Sequence, residues 1–298
     1  MRKNSIRLTT GEKVFTTLNY TLMCLLLLVF LYPIVNMAAI SFSGDVPVLR
    51  SAVTFFPMDF TTSAYNKIIT NMSLWRSILN SLFVAFAGCA LSLIVISVAA
   101  YPMAFADFYG KKVFTMLILF TMWFSGGIIP TFMTIRSLGL HNSLWSLIVN
   151  GLLSAYFVII ARSYFQSIPV SMVESARIDG ANDYRILFSI IMPLSKPVLA
   201  TIGLWVVVGH WNDYLNPLIF LSDRNNYTLQ LVLKEIVLYS ESSLYGLSAA
   251  VSGLSGSADL GPQVRNAALV VSMIPMVIFY PFVQRYFVSG IMLGAVKE

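Results

Sequence analysis

The sequence predicts an all-α membrane protein that crosses the bilayer six times. Three observations carry that class. The mean hydropathy is +0.78, and 57% of the 298 residues are hydrophobic. Only 11% are charged, against roughly a quarter in soluble domains. In water such a chain would expose a largely apolar surface, so lipid is the solvent that suits it. Finally, apolar runs long enough to span recur along the chain, with the charges gathered between them.

The start, MRKNSIRLTTGEK, places Arg2, Lys3, Arg7 and Lys13 before an apolar run, as a secretory signal does. Here the run reaches spanning length and five more follow, so residues 1–17 read as a cytoplasmic segment before a retained helix. The expected spans are Leu18–Ile40, Leu79–Phe105, Val113–Ile135, Leu144–Ile160, Val198–Leu221 and Ala267–Val288. They form one transmembrane domain, residues 18–289, followed by a tail, 290–298. Pro33, Pro102, Pro130, Pro217, Pro275 and Pro281 lie within the spans and predict bent helices.

Two external loops are sizeable. Residues 42–76 hold an extended-looking FFPMDF segment, Phe55–Phe60, and a surface helix around Ala64–Ile69. Residues 222–266 open on an amphipathic run, Leu229–Leu238, and pass into a Ser/Gly-rich tract, Ser240–Gly261. That tract reads either as a flexible linker or as a probe that meets an external partner.

The net charge is +6, but the basic residues are scattered and form no nucleic-acid motif. With both termini cytoplasmic, the inner pieces hold Arg2, Lys3, Arg7, Lys13, Lys111, Lys112, Arg162, Arg177, Arg185, Lys196, Arg285 and Lys297. The outer pieces hold Arg50, Lys67, Arg76, Arg136, Arg224, Lys234 and Arg265. The inner bias follows the positive-inside rule. Cys24 and Cys89 sit in apolar runs and read as buried thiols, neither a disulfide framework nor metal ligands.

Between the fourth and fifth spans, residues 163–197 form a charged cytoplasmic loop. Its heart is SMVESARIDGANDYRILFSIIMPLSKP, Ser171 to Pro197. Ser171 and Glu174 have capping-box spacing, predicting a helix from there to about Ile178. Asp179-Gly180 is a stop and turn. A second helix is expected near Asn182, with Tyr184, Leu187, Phe188 and Ile191 as its apolar stripe and Pro193 as its end. Small residues at Ser175, Ala176, Gly180 and Ala181 leave room for another backbone. Such a hairpin docks on a protein or lies on the lipid headgroups; Glu174, Asp179 and Asp183 suit anionic lipid poorly.

A second polar stretch, Gly209 to Pro217, lies inside the fifth span. Asp213 is the one carboxylate within the expected spans. Trp211, Asn212, Asp213 and Asn216 offer an aromatic face and hydroxyl-binding groups to a sugar, with Asn212 and Asn216 one helical turn apart. The alternative is a hydrogen-bond network that locks the span or its Pro217 kink.

Glu174-Ser175-Ala176, Asp179-Gly180-Ala181, then Phe188, Ile191 and Pro193 resemble the EAA loop of the permease subunits of binding-protein-dependent ABC importers, with Ser175 in place of the first Ala. The tail from Gly290 to Lys297 resembles sugar-importer permeases of the MalG-like class. Trp123–Pro130 and Gly209–Tyr214 resemble the LplC/YtcP-like and alginate branch, which serves complex oligosaccharides. The resemblance implies a coupling helix seated in an ATPase cleft through Glu174, Ser175, Ala176, Asp179, Gly180, Ala181 and Pro193. It also implies a homologous second permease, two ATPase subunits, an extracytoplasmic solute-binding protein and an oligosaccharide substrate. The setting is the bacterial cytoplasmic membrane. No phosphate-binding GxxxxGK[ST] loop is present, so no cofactor is expected in this chain, and ATP and Mg would be bound by the partners.

Two other classes compete. An intramembrane protease would need paired membrane aspartates, a Ser–His or Ser–Lys pair, or HExxH, and none is evident, so no catalytic residue is expected. An ion-coupled secondary transporter would also need midplane polar groups, but it leaves the charged loop unexplained. An importer of a different small solute is the nearer alternative.

Overall fold

A computed structural model describes residues 9–106, 109–244 and 261–295. The described residues are helical or irregular, with no strand among them. Most of the Ser240–Gly261 tract, the first eight residues and the last three lie outside them.

Two helices are long and apolar enough to cross a membrane unaided: α1, Thr10–Ser41, and α4, Met72–Phe105. The third expected span is broken. Helices α5, Lys111–Trp123, and α6, Ile128–Ser137, are bent by 115° relative to each other. The break is not at Pro130, which sits in the first turn of α6. It falls at Ser125-Gly126-Gly127, where Gly127 has φ +88, a conformation that costs glycine little. The Ser125 hydroxyl accepts the Gly127 N–H at 3.1 Å. The fourth span is also broken: α7, Leu144–Asn150, and α8, Ala155–Phe165, are bent by 52°. The fifth divides into α12, Lys196–Asn212, and α13, Leu215–Phe220. A helix over Leu229–Leu244, α14, comes next, and the last helix, α15, runs from Pro262 to Ala295 and contains Pro275 and Pro281.

The chain forms two compact units. The first comprises the described residues within 1–70 and 236–273. In it α1 is followed by the short helices α2, Asp45–Leu49, and α3, Ser63–Ile69. The Asn36 amide donates to the carbonyls of Val53 and Thr54 at 3.2 and 2.8 Å, which folds the connecting loop against α1. Phe42 stacks between Phe60 and Tyr65. Most of α1 is exposed, with only 6% of its most apolar window buried. Cys24 is therefore exposed on an outward apolar face rather than buried, because α1 turns its greasy surface away from its own unit.

The second unit comprises residues 71–235 and 274–298. Helix α4 is its axis and packs along α8 and α12. The inner face of α4 is small: Ser77, Ser81, Ala85, Gly88, Ser92, Ser97 and Ala100 are all buried. Without a hydrophobic drive between helices in lipid, such residues let backbones approach closely. Cys89 Sγ reaches the Gly203 carbonyl at 3.5 Å. The main core joins Ile96, Tyr101 and Met103 of α4 to Val158 and Phe165 of α8 and Ile202 and Val206 of α12. A second cluster holds Val84, Ile135, Leu147, Ile148, Phe220 and Leu221.

The His210 ring is wedged between two glycines. A Cβ on Gly88 would lie 2.7 Å from His210 Nε2, and one on Gly151 would lie 2.9 Å from Cε1. The ring cannot swing away from one without meeting the other. Gly88→Ala is thus expected to destabilise the purified protein by about 1–3 kcal/mol, read as a lower melting temperature. Adding His210→Ala should recover most of that loss. An unchanged melting temperature in Gly88→Ala would show that the wedge does not constrain the bundle.

Candidate functional site

The charged loop folds as a hairpin fastened to the end of α4. Its first helix, α9, spans Val170–Ile178. Ser171 does not cap it. The N-cap position is Pro169, whose ring already holds the required φ (−56). Ser171 therefore lies inside the first turn, where its hydroxyl cannot serve as the cap.

The turn after α9 is as the sequence predicts. Gly180 has φ +79. Its N–H donates to Arg177 O at 3.0 Å, and the Ala181 N–H donates to Ala176 O at 2.9 Å. This is the paired closure of a Schellman motif, which satisfies two carbonyls at the helix end. Asn182 then caps α10, Asp183–Ile186, with its side-chain oxygen accepting the Arg185 N–H at 2.9 Å.

Beyond α10 the backbone widens into a π-helical segment, Leu187–Ile191, followed by a last turn, α11, Met192–Leu194. Pro193 therefore lies within the hairpin rather than at its end. The break comes at Ser195, before α12 leaves at 84°. The wide turn accommodates an extra residue and rotates the apolar face. Ile186, Leu187 and Ile191 are buried, whereas Tyr184 is 72% and Phe188 44% exposed. The expected stripe is thus displaced at two of its four positions.

The two faces of α9 differ. Val173 and Ala176 are buried in the main core beside Tyr101 and Phe165. Glu174, Ser175, Asp179 and Gly180 are exposed, as is Ile178, at 86%. At the rim, the Tyr101 hydroxyl donates to Asp183 Oδ1 at 2.9 Å, and Arg177 donates to the same oxygen at 3.0 Å. The Arg177 bond, with that from Tyr101, holds the Asp183 carboxyl below its ordinary range. The pair is exposed, so it is worth no more than about 1 kcal/mol. Packing holds the hairpin, and the ion pair orients it.

The polar stretch of the fifth span lies at the break between α12 and α13. Asp213 Oδ1 accepts the Leu215 and Asn216 N–H groups, each at 3.1 Å. Oδ2 accepts the Asn216 side-chain amide at 2.7 Å. The Asn150 amide, at the end of α7, donates to Asn216 Oδ1 at 3.2 Å. Two helix breaks, one after α7 and one after α12, are thereby joined. Because the helix stops at Asn212, Asn212 and Asn216 are not one turn apart on a continuous helix. Asn212 is exposed and donates to Val208 O at 3.0 Å. Trp211 is 3% exposed, its ring packed inward.

Asn150, Gly88 and Gly151 were not singled out in the sequence. Their partners lie far along the chain, and no local pattern marks them. In a membrane, interrupted backbone is tolerated where it is buried in protein or lines a water-filled cavity. The joined breaks are such a place, with the carboxylate of Asp213 as their hub.

The family described as the binding-protein-dependent transport system inner membrane component matches residues 7–293. The polygalacturonan/rhamnogalacturonan transport system permease protein YtcP of Bacillus subtilis (strain 168) is 37% identical over 287 residues, covering 96% of this chain and 99% of its own. Protein LplC of the same organism is 31% identical over 291 residues, covering 97% of each. A bacterial ABC transporter involved in importing the acidic polysaccharide alginate contains a chain that superposes with a TM-score of 0.84 at 34% identity, covering 95% of this chain and all of that one. With its family match running almost end to end, this chain belongs to the inner-membrane permease components of binding-protein-dependent ABC transport systems.

Proposed function

We propose that the chain pairs with a homologous permease to form the transmembrane path for an acidic oligosaccharide handed over by a solute-binding protein. Two ATPase subunits, binding ATP and Mg, would drive it through α9. On this reading the chain crosses six times, with both termini and the hairpin in the cytoplasm and residues 42–76 and 222–266 outside. The observation that carries the coupling role is the division of α9. Val173 and Ala176 fasten it to the bundle, while Glu174, Ser175, Asp179 and Gly180 stay free to enter a cleft. A helix held on one side and free on the other transmits rigid-body motion. Ala176 then serves as the anchor of the coupling helix rather than as its contact. Ala181 and Pro193 complete the hairpin.

Acidic sugars are favoured by two relatives. YtcP carries polygalacturonan and rhamnogalacturonan, and the structural neighbour belongs to an alginate importer. Asn212, Asp213 and Asn216 at the joined breaks are proposed to line the path, as interrupted helices do in other transporters. Trp211 would back this wall from within. The Ser240–Gly261 tract is proposed to meet the binding protein.

Two sets of variants separate the path from the coupling. Asp213→Ala and Asn216→Ala are expected to cut oligosaccharide uptake by about tenfold or more, with ATPase subunits still co-purifying. Unchanged uptake in both would remove these residues from the path. Asp183→Asn should leave assembly intact and speed amide exchange across residues 171–183. In the wild type the same loosening should appear only as pH falls below the ordinary Asp value of 3.8, because a depressed carboxyl stabilises the fold above that value and loses its contribution below it. Equal exchange rates in wild type and variant at neutral pH would show that the ion pair does not order the hairpin.

A further inference from the structure

At the end of the bundle that bears the hairpin, a cavity of about 360 Å³ is lined by Lys111, Lys112, Thr115, Met116, Leu119 and Arg162. Three cations from two helices meet there. Among the described residues, no carboxylate lines it. Two features set it apart from ordinary surface charge. First, Lys111 and Lys112 are the first two residues of α5, which starts from a left-handed Gly110 with φ +87 and no side-chain cap. A helix start is the positive end of the dipole and disfavours cations. Lys111 offsets that cost by turning to the Ala106 carbonyl at the C-terminal end of α4, so the cost falls on Lys112. Second, Arg162 Nε is buried without a hydrogen-bond partner, although such a donor is normally satisfied. Lys111 Nζ donates to Ala106 O at 2.8 Å, which fixes one of the three cations.

Below the cations the wall is apolar. Met116 is 60% exposed, and α5 has no buried residue along its length. Inorganic phosphate would use only the mouth. An acidic protein segment would leave the apolar wall uncovered. A phospholipid uses both parts: its phosphate meets the cations and an acyl chain lies along Met116 and Leu119. Basic pockets at the cytoplasmic ends of spanning helices suit anionic headgroups.

We propose that this cavity holds an anionic phospholipid of the inner leaflet. The sidedness rests on the permease reading above. The full chain, purified with its partner subunits in detergent, would be titrated with phosphatidylglycerol and with phosphatidylcholine of equal chain length, and bound lipid read by native mass spectrometry. Phosphatidylglycerol is expected to bind in preference. The triple variant Lys111→Gln/Lys112→Gln/Arg162→Gln should lose about tenfold or more in phosphatidylglycerol affinity, with phosphatidylcholine binding, melting temperature and ATPase co-purification unchanged. Lys111→Arg/Lys112→Arg should retain the preference. Equal binding of the two lipids by the wild type would overturn the proposal, as would phosphatidylglycerol binding that survives the triple substitution. Displacement of the lipid by millimolar inorganic phosphate would reduce the site to an anion pocket and overturn the lipid assignment. Loss of ATPase binding with lipid binding intact would assign the cluster to a protein contact instead. If ATPase subunits fail to co-purify with the wild type, the permease reading fails, and the lipid titration still decides this site.

Discussion

The seam between the hairpin and the end of α4 carries the rest of the structure. Val173, Ala176, Ile186, Leu187 and Ile191 are buried against Ile96, Tyr101, Met103 and Phe165. Burying one large aliphatic side chain contributes about 1.5–3 kcal/mol. The exposed Arg177–Asp183 pair adds less than one such residue. Apolar packing therefore makes the hairpin one body with the spans, and the charges only set its angle. A loop of this size without the seam would swing freely and pass no displacement to α12, which leaves the hairpin directly after Ser195.

The second constraint is the satisfaction of backbone polar groups in a low-dielectric surround. Three of the interruptions have a side chain set against them. Ser125 serves Gly127 in the α5–α6 break. Asp213 serves Leu215 and Asn216 in the α12–α13 break. Asn150 and Asn216 tie the α7 and α12 breaks together, and His210 fills the notch left by Gly88 and Gly151. The polar residues of the fifth span thus tie a discontinuity and shape it. The two readings left open by the sequence, a structural network and a path lining, are compatible at this point, because a shaped discontinuity needs the network.

Helical class and the hairpin's turn were legible because they depend on local signals: apolar runs, the Asp179-Gly180 stop and the helix start near Asn182. Span continuity was not. Hydropathy adds up composition and is blind to direction, so Val113–Ile135 reads as one span although Gly127 turns the chain by 115°. Phe188 was misplaced because 3.6-residue periodicity assumes an unbroken α-helix, and the π-segment over Leu187–Ile191 changes the phase. Ser171 has the right spacing for a cap but follows a proline that already occupies the position. Gly88, Gly151 and Asn150 acquire meaning only through His210 and Asn216, which are distant in sequence. The hairpin's resemblance to the EAA loop rested on a motif, whereas the burial of Ala176 needed the third dimension.

Disulfide trapping tests the division of α9 most directly. In a background with Cys24 and Cys89 replaced by serine, Ser175→Cys would be oxidised in the assembled transporter against single cysteines in the cleft of the ATPase subunit, with Val173→Cys as the buried control. Cross-linking at 175, altered by ATP and absent at 173, is the result predicted for a helix fastened on one face and docked by the other. Cross-linking at 173, or none at 175 in a complex that hydrolyses ATP, would contradict it.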